Sequence, residues 1–380
     1  MCIRRVLPVV LALSGWSVPL AAHGQADRAI QRGIAFLRQT QRADGSWSPK
    51  PGPAITALVV TGMLESGPGA DDMAINRAID YILSKCRADG GMHDQFLQTY
   101  NTAICLSALA RAHHRADAAA VIPAAQDYLR RLQWAGQRDV QGRLIDRTHP
   151  FWGGAGYGTH GRPDLSNTQL MLQGLYDSKL SHDDVAFQRA LVFISRCQAS
   201  SANDMFAAQI EPDGGFIYST SVSRDLVGVP QSMASPDLID EARTTGRVSG
   251  LRTYGSMTYA GFKSYLYADL AKDDHRVLDA YGWIRGHYTL QQNPGMPDGQ
   301  QMEGYYYYLM TLARALRAYG DQHVRTADGT HHDWADDLID QLVRLQRADG
   351  AWVNSAERWL EDDPNLVTAY ALIALTSAVR

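Results

Sequence analysis

Apolar residues recur along this chain in two kinds of run. In the first kind they fall three and four positions apart with polar residues between, the pattern of a helix with one buried face. It predicts outer-layer helices over 27–40, 74–86, 118–134, 184–197, 274–288 and 333–347. The second kind is apolar nearly all round and rich in Ala, Thr and Leu. It predicts buried helices over 54–64, 99–112, 164–178, 254–270, 303–319 and 364–379. The two kinds alternate, which gives six helix pairs starting near 27, 74, 118, 184, 274 and 333, and no series of strands.

Almost the same ten residues end the first and last outer runs: "LRQTQRADGSW" over 37–47 and "VRLQRADGAW" over 343–352. Related turns follow "YILSKCRADGGM" and precede "GGFIY". In each copy a helix ends and Asp-Gly turns the chain, because Gly accepts a positive φ and Asp tolerates one. The aromatic residue after the turn can fold back over it, with Gln41 or Gln346 beneath. Internal repeats of this length build either open stacks or closed rings. An open stack needs polar outer faces on its terminal repeats, yet "NLVTAYALIALTSAV" near the C-terminus and "AITALVVTGML" near the start are both strongly apolar. Each requires neighbours on two sides. The expected fold is therefore all-α: a closed (α/α)6 toroid of six helix hairpins, with residues 27–380 as one domain.

Composition changes this picture little. Hydrophobic residues make up 45% of 380 and charged ones 20%, enough for a large core. The first 26 residues carry Arg4 and Arg5, an apolar run and then small residues, the layout of a secretory signal peptide. Cleavage is expected after Gly24 or Ala26, leaving an exported chain, periplasmic or extracellular, whose net charge moves from −4 to −6. No later run is long enough to span a bilayer. That charge, with no basic run, argues against nucleic acid as a partner. Cys86, Cys105 and Cys197 lie in apolar helical patterns outside any Cys-x-x-Cys pair and read as buried thiols, although export would permit a bridge. Oligomeric state is not fixed by any of this.

The helix–Gln-x-x-Asp-Gly-x-Trp unit followed by an Ala/Thr-rich helix resembles the QW-type repeat of squalene and terpenoid cyclases, an architecture shared with protein prenyltransferase β subunits. More closely, "GGAGYGTHGRPDLSNTQ", "DGGFIYS", "YGSMTYAGFKS", "GYYYYLMTLARAL" and "WLEDDPNLVTAYALIAL" resemble exported bacterial prenyltransferase/squalene oxidase repeat proteins. The resemblance covers nearly the whole mature chain. It implies the toroid; the reaction does not follow from the fold. The Asp-x-Asp-Asp acid motif of class II cyclases is missing, "LEDDPN" and "SHDD" being the nearest acidic runs. The zinc-holding Asp-x-Cys with a distant His is missing too, as is a Cys-Gly-Glu-Gln thioester. No cofactor is expected.

If every outer-to-inner turn lies on one rim, the N-termini of all six inner helices converge on one mouth, favouring a polar or anionic group there. The longest turns belong to repeats three, four and five, and long ordered loops are common places for function. Repeat three supplies candidate acid–base residues Asp164, Tyr157 and His160, with Trp152, Arg162 and Asn167 for binding. Asp164 equally suits a helix cap. Repeat four adds Tyr254 and Tyr259, with Lys263 one turn further on at the rim or in the cavity. Among four successive tyrosines in repeat five, Tyr305 and Tyr308 share a face and are assigned to the ligand, beside Glu303 as an acid or a cap. Trp359 completes the set, while Asp363 before Pro364 reads as an N-cap. His331, His332 and Asp333 open an outer helix far from the mouth, no His-x-x-x-His or Glu-x-x-His lies on an inner helix, and no metal is expected.

Three functions fit this reading. A cyclase-like protein holding an isoprenoid or other hydrophobic or anionic ligand requires a deep apolar lumen. A carbohydrate-active enzyme, lyase-like or hydrolase-like, requires a polar groove with paired acid–base groups. A non-catalytic binding or scaffold toroid, in its limiting form, has its lumen filled by its own side chains.

Overall fold

The computed structural model describes residues 18–67, 69, 71–159 and 161–379, with side chains from residue 23 onward. The leader expected over 1–26 lies outside the described residues up to 17, as does His160; from Val18 the chain is already helical. In chain order the hairpins are α1 (Val18–Thr40) with α2 (Ala54–Glu65), α3 (Met73–Leu83) with α4 (Gln98–Leu109), and α5 (Ala116–Leu132) with α6 (Leu165–Asp177). α7 (Val185–Cys197) pairs with α9 (Gly255–Tyr267) across a long turn that contains α8 (Pro236–Thr245). α10 (His275–His287) with α11 (Tyr305–Tyr319), and α12 (Trp334–Leu345) with α13 (Pro364–Val379), complete the six.

The two kinds of apolar run become two layers. α2, α4, α9 and α13 are buried on nearly every side, which is why their sequences carry so few charges. The outer helices bury one stripe each; α12, for example, buries Trp334, Leu338, Ile339, Gln341 and Leu342, exposes Asp340 and leaves Asp336 and Asp337 half-buried. Around the inner layer α2 packs on α4, α4 on α6, α6 on α9, α9 on α11, α11 on α13, and α13 on α2. The ring is closed. α1 also packs against α12 and α13, so the outer layer meets at the same seam.

The duplicated turns make that seam. The Gln41 amide donates to the carbonyls of Gly45 (3.0 Å) and Ala74 (2.8 Å), stitching the first turn to the next outer helix. Gln346 donates in the same way to Gly350 (2.8 Å) and Ala29 (2.9 Å), stitching the last turn to the first outer helix. Trp47 and Trp352 fold back so that their indole N–H groups donate to Leu37 and Leu342, each at 2.8 Å. The backbone N–H of each tryptophan donates to a threonine on the following inner helix, Thr56 at 2.9 Å and Thr368 at 3.1 Å. Looser copies recur at Met92 with Thr102, Ala155 with Thr168, and Phe216 with Thr258. Replacing Thr368 by valine removes the acceptor while keeping the shape. The stranded N–H should cost about 2 kcal/mol in urea denaturation, and serine at 368 should restore most of it.

Outside the two layers, β1 (His323–Arg325) and β2 (His331–Asp333) form a small antiparallel hairpin. It carries His331 and His332, and Asp333 caps α12 through the N–H groups of Ala335 and Asp336. No cluster of three or more His, Cys, Asp or Glu placed to hold a metal ion occurs among the described residues. None of their helices is long and apolar enough to cross a membrane. Cys86, Cys105 and Cys197 are thiols, not bridged.

Candidate functional site

All six inner helices start on the same rim, and a cavity of about 980 Å³ opens between those starts. A repeated feature sets which side chains reach it. Each turn threonine accepts from a backbone N–H of its turn and so points outward, and the residue two positions earlier lies about 200° round the helix and points inward. Those residues are Ala54, Tyr100, Ser166, Ser256 and Leu366, and all five line the cavity. Leu58 and Tyr370, two positions after Thr56 and Thr368, line it as well.

At its lower end the lumen closes on charge. Glu65, at the end of α2, takes the guanidinium groups of Arg111 (2.5 Å) and Arg314 (2.7 Å), and Arg111 also reaches Asp177 (2.9 Å). These two arginines hold Glu65 down to a pKa of about 2 in spite of burial. Lys263 adjoins this network, 1% exposed, with its ammonium on the Gln173 amide oxygen. It is thus an interior group below the cavity and not a rim residue; burial pulls its pKa down to about 7.

The upper end is largely apolar and strained, although Arg42, Lys50 and Asp363 also belong to the cavity lining. Phe96, Tyr157, Trp359 and Leu360 line the cavity and remain 43–60% exposed. Of the seven non-glycine residues with positive φ among those described, Ser48, Leu97, Trp359 and Leu360 line this mouth. Left-handed backbone at bulky residues persists only where surrounding contacts impose it, and such strain gathers at functional sites. Here Trp359 lies over Gly304, where a Cβ would come within 3.0 Å of the indole.

Two buried carboxyl groups flank the cavity. Asp164 caps α6, accepting from the Asn167 backbone N–H (2.8 Å) and from its side-chain amide. It is fully buried, and burial raises its pKa to about 6 against the opposing pull of Arg162, Asn167 and the Tyr218 hydroxyl. Tyr218 in turn meets Tyr157 hydroxyl to hydroxyl at 3.1 Å, and both line the cavity. Glu361 lines it too, accepting from the backbone N–H groups of Tyr306 (3.1 Å) and Tyr307 (2.8 Å) and from Asn354 (2.7 Å). Burial pushes its pKa up to about 7 while those donors pull it down.

The residues singled out from sequence divide accordingly. Tyr157, Tyr254 and Trp359 line the cavity. Asp164 and Asn167 stand behind Tyr218. Arg162 lies 5.3 Å over the Tyr218 ring, bonded to the Val222 carbonyl and to Gln231. Glu303 pairs with Arg358 at 2.6 Å beside the rim and does not line the cavity. Trp152 packs instead with Trp134 and Phe151, under Arg189. Tyr259, Tyr305 and Tyr308 are also elsewhere: Tyr305 donates to the Leu290 carbonyl and Tyr308 to that of Thr289, while Tyr259 meets Tyr308 edge to face. It is Tyr307 that reaches the lumen, where Gln169 donates to its hydroxyl. Tyr100, Tyr218, Tyr307, Tyr370 and Glu361 are cavity residues that sequence reasoning did not select. The turn threonine was the usable signal for Tyr100 and Tyr370.

No protein-family profile matches the chain. A stretch of 101 residues is 32% identical to alpha-onocerin synthase LCD of Lycopodium clavatum; the match takes in 25% of this chain and spans only 13% of that relative's length. Among solved structures, the GH76A alpha-1,6-mannanase of Salegentibacter sp. HEL1_6 aligns with a TM-score of 0.58 at 8% identity, over 93% of this chain and 98% of that one. A family 76 glycoside hydrolase from a bovine Bacteroides thetaiotaomicron strain gives 0.55 at 11% identity, over 92% and 77%. The type II terpene cyclase MstE of Scytonema aligns over 95% of this chain and 99% of its own with a TM-score of 0.36 at 15% identity, which carries no further argument. At such identities the likeness is one of fold: this is an α/α toroid.

Proposed function

We propose that the protein is a terpenoid-cyclase-like toroid that holds a long hydrophobic ligand of isoprenoid type in its central cavity. The observation that carries this reading is the lining. Ala54, Ile55, Leu58, Met257 and Leu366 supply aliphatic surface, six tyrosines supply ring surface, and apolar Phe96, Leu97, Trp359 and Leu360 frame the opening, with Arg42, Lys50, Glu361 and Asp363 as the ionisable members of the lining. Burying such surface against a hydrocarbon chain is favourable at roughly 25 cal/mol per Å², and aromatic faces stabilise cationic charge. The cavity is not filled by its own side chains, which weighs against a packed scaffold. A glycan would leave its hydroxyls facing Ile55, Leu58 and Leu366 without partners, at a cost for each. The chain's lack of Asp-x-Asp-Asp argues against authentic squalene cyclisation. Export through the N-terminal leader belongs to the same proposal, and cell fractionation with N-terminal sequencing tests it.

The cavity itself is tested by lipid extraction and native mass spectrometry of the purified protein, in wild type and in Leu58→Trp/Leu366→Trp. The two indoles project into the lumen from α2 and α13 and leave the duplicated turns and the lower charge network unaltered. The wild type should carry a co-purifying hydrophobe, and the double variant should lose it with its helical content unchanged. A ligand retained in full by the double variant overturns the placement.

A further inference from the structure

The lower end of the lumen is shut by side chains from every inner-helix hairpin: Glu65 of α2, Arg111 just beyond α4, Asp177 of α6, Lys263 of α9, Arg314 of α11 and Thr376 of α13. None of these lines the cavity. A long ligand therefore enters by the upper rim. Any charged end it carries stays there, because a charge carried down against Ile55 and Leu58 would lose its water without gaining a partner.

The ionisable groups of the lining differ in how far the fold already engages them. Both acids are in use. Asp363 accepts from the Asn365 backbone N–H at the start of α13 (2.8 Å), and Glu361 accepts from the backbone of Tyr306 and Tyr307 and from Asn354. The two cations are idle: the side chains of Arg42 and Lys50 make no hydrogen bond or ion pair with any described residue. Asp44, in the same turn as Arg42, is held by the Ser46 N–H (3.1 Å) and hydroxyl (2.7 Å). The stretch 41–53 that carries both cations from α1 to α2 is pinned on two sides. Asn365 donates to the Ser48 hydroxyl (3.0 Å). Asn101, fully buried, donates to the carbonyls of Pro51 (3.2 Å) and Phe96 (2.9 Å) and accepts from the Ala54 N–H (2.9 Å). That amide is neutral and Pro53 offers no cap, so α2 starts without the carboxylate that α6, α11 and α13 each have. Its positive end adds to the two idle cations. Tyr254, 2% exposed, also lines the cavity with a hydroxyl that makes no hydrogen bond to a described residue.

With acids engaged and donors idle, the lining is short of an acceptor. We propose that the ligand's polar end is one anionic group, a carboxylate or a phosphate monoester, held between Arg42 and Lys50 at the start of α2 while the hydrocarbon chain runs down the lumen. The guanidinium can take two oxygens of such a head in parallel, and the ammonium acts on it as a point charge. An ammonium head would instead face two like charges. The inference rests on the hydrophobic-ligand reading and deepens it by naming the ligand's charge and the wall that meets it.

The experiment measures binding of geranylgeranoic acid, geranylgeranyl monophosphate, geranylgeraniol and geranylgeranylamine by calorimetry at pH 8 and low salt. The acid or the monophosphate should bind about tenfold tighter than the alcohol, and the amine no tighter than the alcohol. Whichever anion binds tighter names the head. In Arg42→Gln/Lys50→Gln the anion should lose its advantage over the alcohol. In Arg42→Glu/Lys50→Glu the order should reverse, the amine binding tighter than the acid. The control is Arg317→Gln/Arg325→Gln, which removes two exposed cations from the far end of α11 and from the β1–β2 hairpin and should keep the advantage. An advantage that persists in Arg42→Gln/Lys50→Gln overturns the inference, as does one lost equally in the control, or an amine that binds tightest to the wild type. If all four probes bind equally, the hydrophobic-ligand reading stands and this inference falls. If none binds, both fall.

Discussion

Replacing Gly350 by valine is expected to lower stability by about 4 kcal/mol, combining the cost of a β-branched residue in left-handed backbone with overpacking against a neighbouring main chain. Gly350 has φ +92°, and a Cβ built on it would stand 2.5 Å from the Arg32 carbonyl oxygen. Neither partner is the tip of a flexible side chain, so relief requires α1 to move off the last turn. That contact is the seam of the ring, so the damage should not be spread evenly. Native-state hydrogen exchange should show the amides of α1 and α12 losing protection before those of α6 and α9. The equivalent Gly45 sits at φ +85° with the Arg77 carbonyl 2.4 Å from the same imagined atom, so valine there should cost a similar amount but open the structure between α1 and α3. Gly286, inside α10 with open space around it, is the control: alanine there should be neutral or stabilising by up to about 1 kcal/mol. Equal losses at 286 and 350 would contradict the seam.

Glu65→Gln should cost about 3–5 kcal/mol, because it removes one partner of a buried charge network and leaves Arg111 and Arg314 under-compensated. Glu65 is 5% exposed and both guanidinium groups are largely buried. The same network predicts an acid limb. The Glu65 pKa is near 2 in the folded chain against an ordinary 4.5. A depressed carboxyl contributes its stability above the unfolded value and loses it as pH falls through the window down to the folded one. Between about pH 4.5 and pH 2 the wild type should therefore lose about 3 kcal/mol that Glu65→Gln does not. Denaturant midpoints of both proteins over that range measure it; parallel curves would show that Glu65 is not the responsible group.

Much of the architecture was legible because the two helix layers differ in kind: outer runs have a dry stripe, while inner runs are dry nearly all round. The observed helices depart from the expected bounds mainly by a residue or a few at either end, the largest shift being α1, which begins at Val18. The seam was legible in the duplicated turn. What escaped was the rotation of α11. With Tyr305, Tyr306 and Tyr308 all buried, the apolar pattern carries no phase, and α11 has Leu309 where the other inner helices have their turn threonine. Without that marker Tyr305 and Tyr308 looked as suitable as Tyr307. α8 escaped for the opposite reason: it buries only Ala242 among its ten residues, so it left no periodic signal. Glu361 was visible only as one acid in a run of three, because its burial depends on Tyr306 and Tyr307 arriving from another hairpin.

The closed ring also limits how such a protein can diversify. In a linear solenoid a unit can be duplicated or lost while its neighbours barely notice. Here every inner helix is wedged between two others, so adding or dropping one would change the circumference, and with it the bore of the lumen, in a single step. Novelty must instead be inserted where the chain crosses the upper rim, and that is where the long stretches before α6, α9 and α11 are found. Chemistry in this architecture is expected to vary by rewriting those crossings around a hoop of fixed size.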